Sequence, residues 1–188
     1  MSSAPDISEY IEELVKPNPK HSSQTSSWYT PKVIIDSARF VLGTIDLDPA
    51  SCYDANQVVK ATRYYDKEMD GLTKTWAGKV FCNPPGGKEK NQSVPKLFWQ
   101  KLLESPEVTE AIFLAFSIEM LQTTQLGCNE PATSYAICIP KRRLQFTDKD
   151  GNTVKGNTHA SAIVYKGNNT DLFATTFQQI GAIVKPYV

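Results

Sequence analysis

Lys79-Val80-Phe81-Cys82-Asn83-Pro84-Pro85-Gly86-Gly87 is the stretch on which the reading of this chain turns. Its first four residues form a short apolar run of strand type. The two prolines then stop any ladder, because each lacks an amide donor and has a fixed φ. The same pattern recurs upstream, where the run Thr44 to Leu47 ends in Asp48-Pro49-Ala50-Ser51. Further β-type runs cover Ala111 to Phe116, Ser134 to Ile139, Ala160 to Tyr165 and Ala182 to Val184. Helical patterns fall on Lys32 to Leu42, Pro95 to Leu103 and Asp171 to Gln179. Short apolar strands separated by helices predict an α/β sheet with helices on both faces. In such sheets functional groups collect at the carboxyl ends of the strands, which is where both polar, proline-containing clusters fall.

The chain has 188 residues, the length of one compact domain. Twenty basic residues balance 20 acidic ones, so global attraction to nucleic acid or membrane is excluded, while a local basic patch is not. The longest apolar stretch, Ala111 to Phe116, is far too short to cross a bilayer. The start MSSAPDISEY lacks the basic and apolar regions of a secretory signal. Four cysteines without a C-x-x-C pair, beside two histidines, argue against a zinc site or disulfide framework and for a reducing cytoplasm. Residues 1–25 are expected to be an attachment. Ile7, Tyr10, Ile11, Leu14 and Val15 form the stripe of a short amphipathic helix that ends at Pro17, followed by a polar linker. That helix either packs on the main domain, residues 26–188, or contacts a partner or second copy, giving a homo-oligomer.

Three clusters carry candidate chemistry. The Asn83 side-chain oxygen and the Pro84 carbonyl are two acceptors on a stiff scaffold, suited to a planar amino group such as adenine N6 or cytosine N4. Asp46 and Asp48 could accept from ribose hydroxyls or a cationic amine, or could hold a divalent metal and a nucleotide sugar. Asp48 or Ser51 could equally cap a helix. In Trp28-Tyr29-Thr30-Pro31, Pro31 suits a first helical turn and Thr30 its cap, while an adjacent aromatic could cover a cofactor ring. Asp70-Gly71-Leu72 reads as a turn. The run Lys141-Arg142-Arg143 could touch phosphates.

Taken in order, W-Y-T-P, I-D-L-D-P-A-S, R-Y-Y, D-G-L, W-x-G-x-V-F and N-P-P resemble the phage-type DNA N6-adenine methyltransferases, and the resemblance runs from about Trp28 to the C-terminus. It implies a Rossmann-like methyltransferase sheet, S-adenosylmethionine as cofactor, DNA as partner, and a bacterial cytoplasm with phage or prophage origin. It places Asn83, Pro84 and Pro85 in the catalytic motif that grips the target amine. Tyr29 and Thr30 fall where the family borders the cofactor. Asp46, Asp48, Pro49 and Ala50 occupy its cofactor loop, and Asp70 sits where related enzymes meet the cofactor's adenine. No protein metal ligand is implied.

The chain departs from the family pattern at Gly86, where related enzymes usually have an aromatic that stacks on the extruded base. Such stacking is worth roughly 1–3 kcal/mol, close to what flipping a base costs. Phe98 or Trp99 is the expected substitute, carried in by a mobile segment spanning Gly86 to Lys96. Failing these, another ring takes over, the target is not a stacked adenine, or the chain is a non-catalytic nucleic-acid binder.

Overall fold

The computed structural model describes residues 28–125, 132–148, 152–154 and 159–186. The helix expected near Ile7 to Val15, its linker and most of the loop after Asp148 lie outside the described residues. The elements run in chain order as helix α1 (Lys32–Leu42), strand β1 (Leu47–Asp48), α2 (Tyr53–Val59), β2 (Arg63–Tyr64), β3 (Gly78–Cys82), a hairpin of β4 (Lys88–Glu89) and β5 (Gln92–Ser93), α3 (Val94–Leu103), β6 (Val108–Ala115), α4 (Glu119–Gln125), β7 (Ala136–Pro140), β8 (Ala162–Lys166), α5 (Thr170–Phe177) and β9 (Gly181–Val184).

Seven strands form one sheet in the order β2-β1-β3-β6-β8-β7-β9. β2, β1, β3 and β6 pair in parallel; β8 is antiparallel to both β6 and β7, and β9 is antiparallel to β7. β7 therefore runs in the same direction as β3 and β6. Alternation along the strands feeds two cores, as a sheet covered on both faces requires. Phe81, Ile112, Leu114, Ile163 and Tyr165 pack with Ile34, Ile35, Ala38 and Leu42 of α1 and with Phe173 and Phe177 of α5. Val80, Cys82, Ala111, Phe113 and Val164 pack on the opposite face with Trp99 and Leu102 of α3 and Met120 and Leu121 of α4. This is the Rossmann-like α/β architecture predicted from the sequence. Among the described residues, no helix is long and apolar enough to cross a membrane.

The ends of the elements supply corrections. α1 starts at Lys32 with Pro31 in the cap position and no side-chain cap, so Thr30 does not cap it. Neither Asp48 nor Ser51 caps α2: Cys52 does, its sulfur accepting from the Ala55 amide at 3.4 Å. Phe98 and Trp99 are core residues, 6% and 0% exposed. Trp99 meets Phe113 and Tyr135 edge-on, and Phe98 lies against Trp76. Neither ring is free to stack on a base.

Candidate functional site

The parallel neighbours β1, β3 and β6 end side by side at Asp48, Cys82 and Ala115. Asp48 is 3% exposed. Burial pushes its carboxyl up to about 7, against the weaker pulls of the Ala50 amide, which donates to it at 3.2 Å, and of the nearby Ser51 hydroxyl. Cys82 shares this interior, and its thiol is raised by burial and then by the nearby Asp48 charge, so it is a neutral packing group. Ser51 Oγ is buried and close enough to Asp48 to ease its ionisation, yet it makes no hydrogen bond of good geometry. Buried polar atoms are seldom left in that condition. The loop after β1 thus presents a half-satisfied carboxyl and an underused hydroxyl together.

That loop is held in place from beneath. A Cβ on Gly71 would lie 2.0 Å from the Pro49 carbonyl oxygen, so only glycine allows this backbone approach. Asp70 has φ 52, and its carboxylate accepts from the Leu72 amide at 3.2 Å, capping the turn at Gly71–Thr73. The Trp76 indole donates to the Gly71 carbonyl at 2.8 Å and fixes the turn to the core. Asp70 is thus beside the β1 loop, with one oxygen used locally. Asp46 is engaged more fully: it accepts from the Lys79 amide at 2.8 Å through one oxygen and from the Thr44 hydroxyl at 3.2 Å through the other. Its carboxylate ties the entry of β1 to β3. Among the described residues no group of three or more His, Cys, Asp or Glu converges as a metal cage.

At the end of β3, Asn83 Nδ2 donates to Thr30 Oγ1 at 3.0 Å. Thr30 is buried, and its neighbour Tyr29 pairs with Thr147 through two backbone bonds of 2.8 and 3.0 Å. The Cys52 thiol donates to the Tyr29 hydroxyl at 3.6 Å. The segment Tyr29–Thr30 therefore bridges the Asn83 motif and the loop after β1. With Nδ2 anchored, Asn83 Oδ1 is the acceptor end, and neither it nor the Pro84 carbonyl has a hydrogen-bond partner among the described residues. Pro84 is buried and Pro85 exposed, so the turn is rooted at its first proline.

Of the residues singled out in the sequence, Tyr29, Thr30, Asp48, Pro49, Ala50, Asp70, Asn83, Pro84 and Pro85 meet at this one sheet edge. Asp46 stands before β1 and is spent on the tie to β3. The sequence gives little sign of Cys52, whose capping role follows only from its position after Ser51, or of Ser51 as a site atom. Phe116 follows β6, and its ring meets His159 edge-on at 5.3 Å.

A Rossmann-like sheet whose inner strand β3 ends in Asn-Pro-Pro, beside a buried acidic loop on the neighbouring strand β1, is the arrangement expected of an α/β methyltransferase. The chain belongs to the DNA N-6-adenine-methyltransferase (Dam) family, whose model matches residues 18–176, and is by that membership a DNA adenine methyltransferase. No curated protein matches the sequence.

Proposed function

We propose that residues 26–188 form a site-specific methyltransferase domain that moves a methyl group from S-adenosylmethionine to the N6 amine of adenine in DNA. The observation that carries this reading is the unpartnered acceptor pair Asn83 Oδ1 and Pro84 O, held rigid by Thr30 and the two prolines. An exocyclic amine has two protons and a lone pair delocalised into its ring. Two fixed acceptors on those protons aim the lone pair, which is preorganisation of position and charge.

The cofactor reading is supported by the loop after β1. S-adenosylmethionine has donors, in its ribose hydroxyls and ammonium, that suit the Asp48 carboxyl and the underused Ser51 hydroxyl. When bound, it supplies an electrophilic sulfonium methyl. Asp48 and Ser51 would hold its polar groups, Tyr29 would border it, and Asp70 would meet its adenine. Asn83 and Pro84 would hold the acceptor amine through the transfer and then share its surplus proton until water takes it. No strong base is needed, because the amine becomes acidic once methylated.

The second reading, a non-catalytic DNA binder, rests on Gly86, where a side-chain carbon would meet nothing within 4 Å. Incubation of unmethylated duplex DNA with methyl-labelled S-adenosylmethionine, followed by nucleoside analysis, separates the two. N6-methyladenine is the expected product. Label on cytosine would reject adenine as target, and DNA binding without any transfer would favour the binder.

A further inference from the structure

The segment that follows Asn83-Pro84-Pro85 is exposed at every residue from 85 to 92, yet its backbone pairs with itself. Lys88 pairs with Ser93 and Glu89 with Gln92, and the Val94 amide donates to the Gly87 carbonyl at 3.1 Å to close the base. The turn passes through Lys90 and Asn91 at φ 47 and φ 64, the two-residue arrangement of a type I′ hairpin. Asn is at home there, whereas a lysine is not. The hairpin thus presents a cation and an amide at its tip in a conformation that Gly or Asn would adopt more readily. Among the described residues neither Lys88 nor Lys90 has an ion-pair partner. Beside the hairpin, a recess against α3 is lined by Asn91, Gln92, Ser93, Lys96, Leu97 and Gln100, a set rich in amides.

A second cationic group lies on the same side of the molecule. β7 runs in the direction of β3, so the chain leaves its carboxyl end at Pro140 into the exposed Lys141-Arg142-Arg143 at the sheet edge that also carries the hairpin. Three strand spacings separate β3 from β7, about 14 Å at about 4.8 Å each. That separation is comparable to the roughly 12 Å width of the major groove, which admits a two-stranded ribbon. The chain as a whole is electrically neutral, so cations gathered at one edge give it the local patch that a polyanion needs.

The geometry points to the hairpin as a groove-reading element and to the turn after β7 as its opposing phosphate contact, together cradling duplex DNA around the target adenine. Lys88, Lys90, Lys141 and Arg143 neutralise phosphates. Asn91 and Gln92 meet base edges next to the target, where amides pair best with the N6 and N7 atoms of adenine. Glu89 is the one opposing charge in the hairpin and disfavours a phosphate at its own position. This inference rests on the DNA-methylating function proposed above.

Fluorescence anisotropy with short duplexes, at salt between about 50 and about 200 mM, tests it. Lys88→Gln combined with Lys90→Asn keeps the turn, since Asn suits a positive φ. It should make the log–log salt dependence of affinity shallower by about 1.8, two phosphate contacts at about 0.9 each. Asn91→Gly combined with Gln92→Ala should leave that slope unchanged and reduce discrimination among flanking sequences by at least about fivefold, which is the lower end of one base contact. Variants that keep wild-type slope and wild-type discrimination, from a protein that still methylates adenine, would overturn the cradle and leave the proposed function standing. A wild-type protein that neither binds nor methylates duplex DNA would overturn both.

Discussion

Asn83 and Thr30 are 53 positions apart in the chain and joined by one hydrogen bond, and that bond makes separable predictions. Asn83→Ala should leave less than about a tenth of the turnover, the equivalent of more than about 1.4 kcal/mol of lost transition-state stabilisation. Titration with S-adenosylhomocysteine should show its affinity nearly intact. Thr30→Val removes only the anchor, a net effect of about 1 kcal/mol, so turnover should fall several-fold while Thr30→Ser restores it. A rise in the KM for the cofactor with unchanged turnover would instead make Thr30 a cofactor contact. Asp48 gives a prediction in pH. Its carboxyl moves from an ordinary 3.8 to about 7 because it is buried. The native state keeps a proton there that the unfolded chain has released. The contribution of this one group to stability is therefore full below about pH 4, declines as pH rises to about 7 and is level above that. The total change is about 4 kcal/mol at about 1.36 kcal/mol per pH unit. Asp48→Asn should abolish this decline in urea unfolding measured across that range. A ligand cation held by the carboxylate should bind more tightly as pH rises through about 7.

Turns and caps decide how the site loops are held. Gly71→Ala would drive a carbon into the Pro49 carbonyl at 2.0 Å, so the loop after β1 must move, whereas Gly86→Ala meets nothing within 4 Å. The first should lose several kcal/mol of stability, as overpacking against a rigid backbone does, together with cofactor affinity. The second should change thermal stability by no more than about 0.5 kcal/mol. Equal effects would show that the loop does not depend on its support. The glycine contrast also shows what is legible in the sequence. α1, α3, β3, β6 and β8 are readable because their apolar periods are long or end in a breaker, as at Asn83-Pro84-Pro85. α2 and β2 are not, because Tyr53–Val59 has a single buried side chain, Val59, and Arg63–Tyr64 is a two-residue edge. The hairpin is not evident in one dimension, because it is built from the backbone pairs Lys88–Ser93 and Glu89–Gln92 and a turn at Lys90 and Asn91 rather than from apolar side chains. Phe98 and Trp99 look available for stacking, since linear spacing does not show that α3 turns both rings onto Trp76 and Phe113. The site clusters are visible as residue types. The Ser51 hydroxyl and the Thr30 anchor need three dimensions.

At the scale of the whole molecule, the parallel course of β1, β3, β6 and β7 gathers the Asp48 loop, the Asn83 motif and the basic turn at one edge, so one ligand bound there should brace the entire sheet. S-adenosylhomocysteine at about a hundred times its dissociation constant should add about 2.7 kcal/mol. In a chain of this size that raises the melting temperature by roughly 5–10 °C. A nucleotide diphosphate with manganese should give no such shift, and the reverse outcome would favour metal chemistry at Asp46 and Asp48. The sheet order also has a consequence for how the protein is made. β8 lies between β6 and β7 and hydrogen-bonds to both, yet it comes after both in the chain. Until Lys166 has left the ribosome, the inner edges of β6 and β7 are open ladders, templates for pairing with another nascent copy. The strands that carry the motifs are complete by Ala115, but the sheet that supports them closes only when its next-to-last strand is threaded into the gap. A chain stopped short of that strand would contain every residue of the site and still be a nucleus for aggregation.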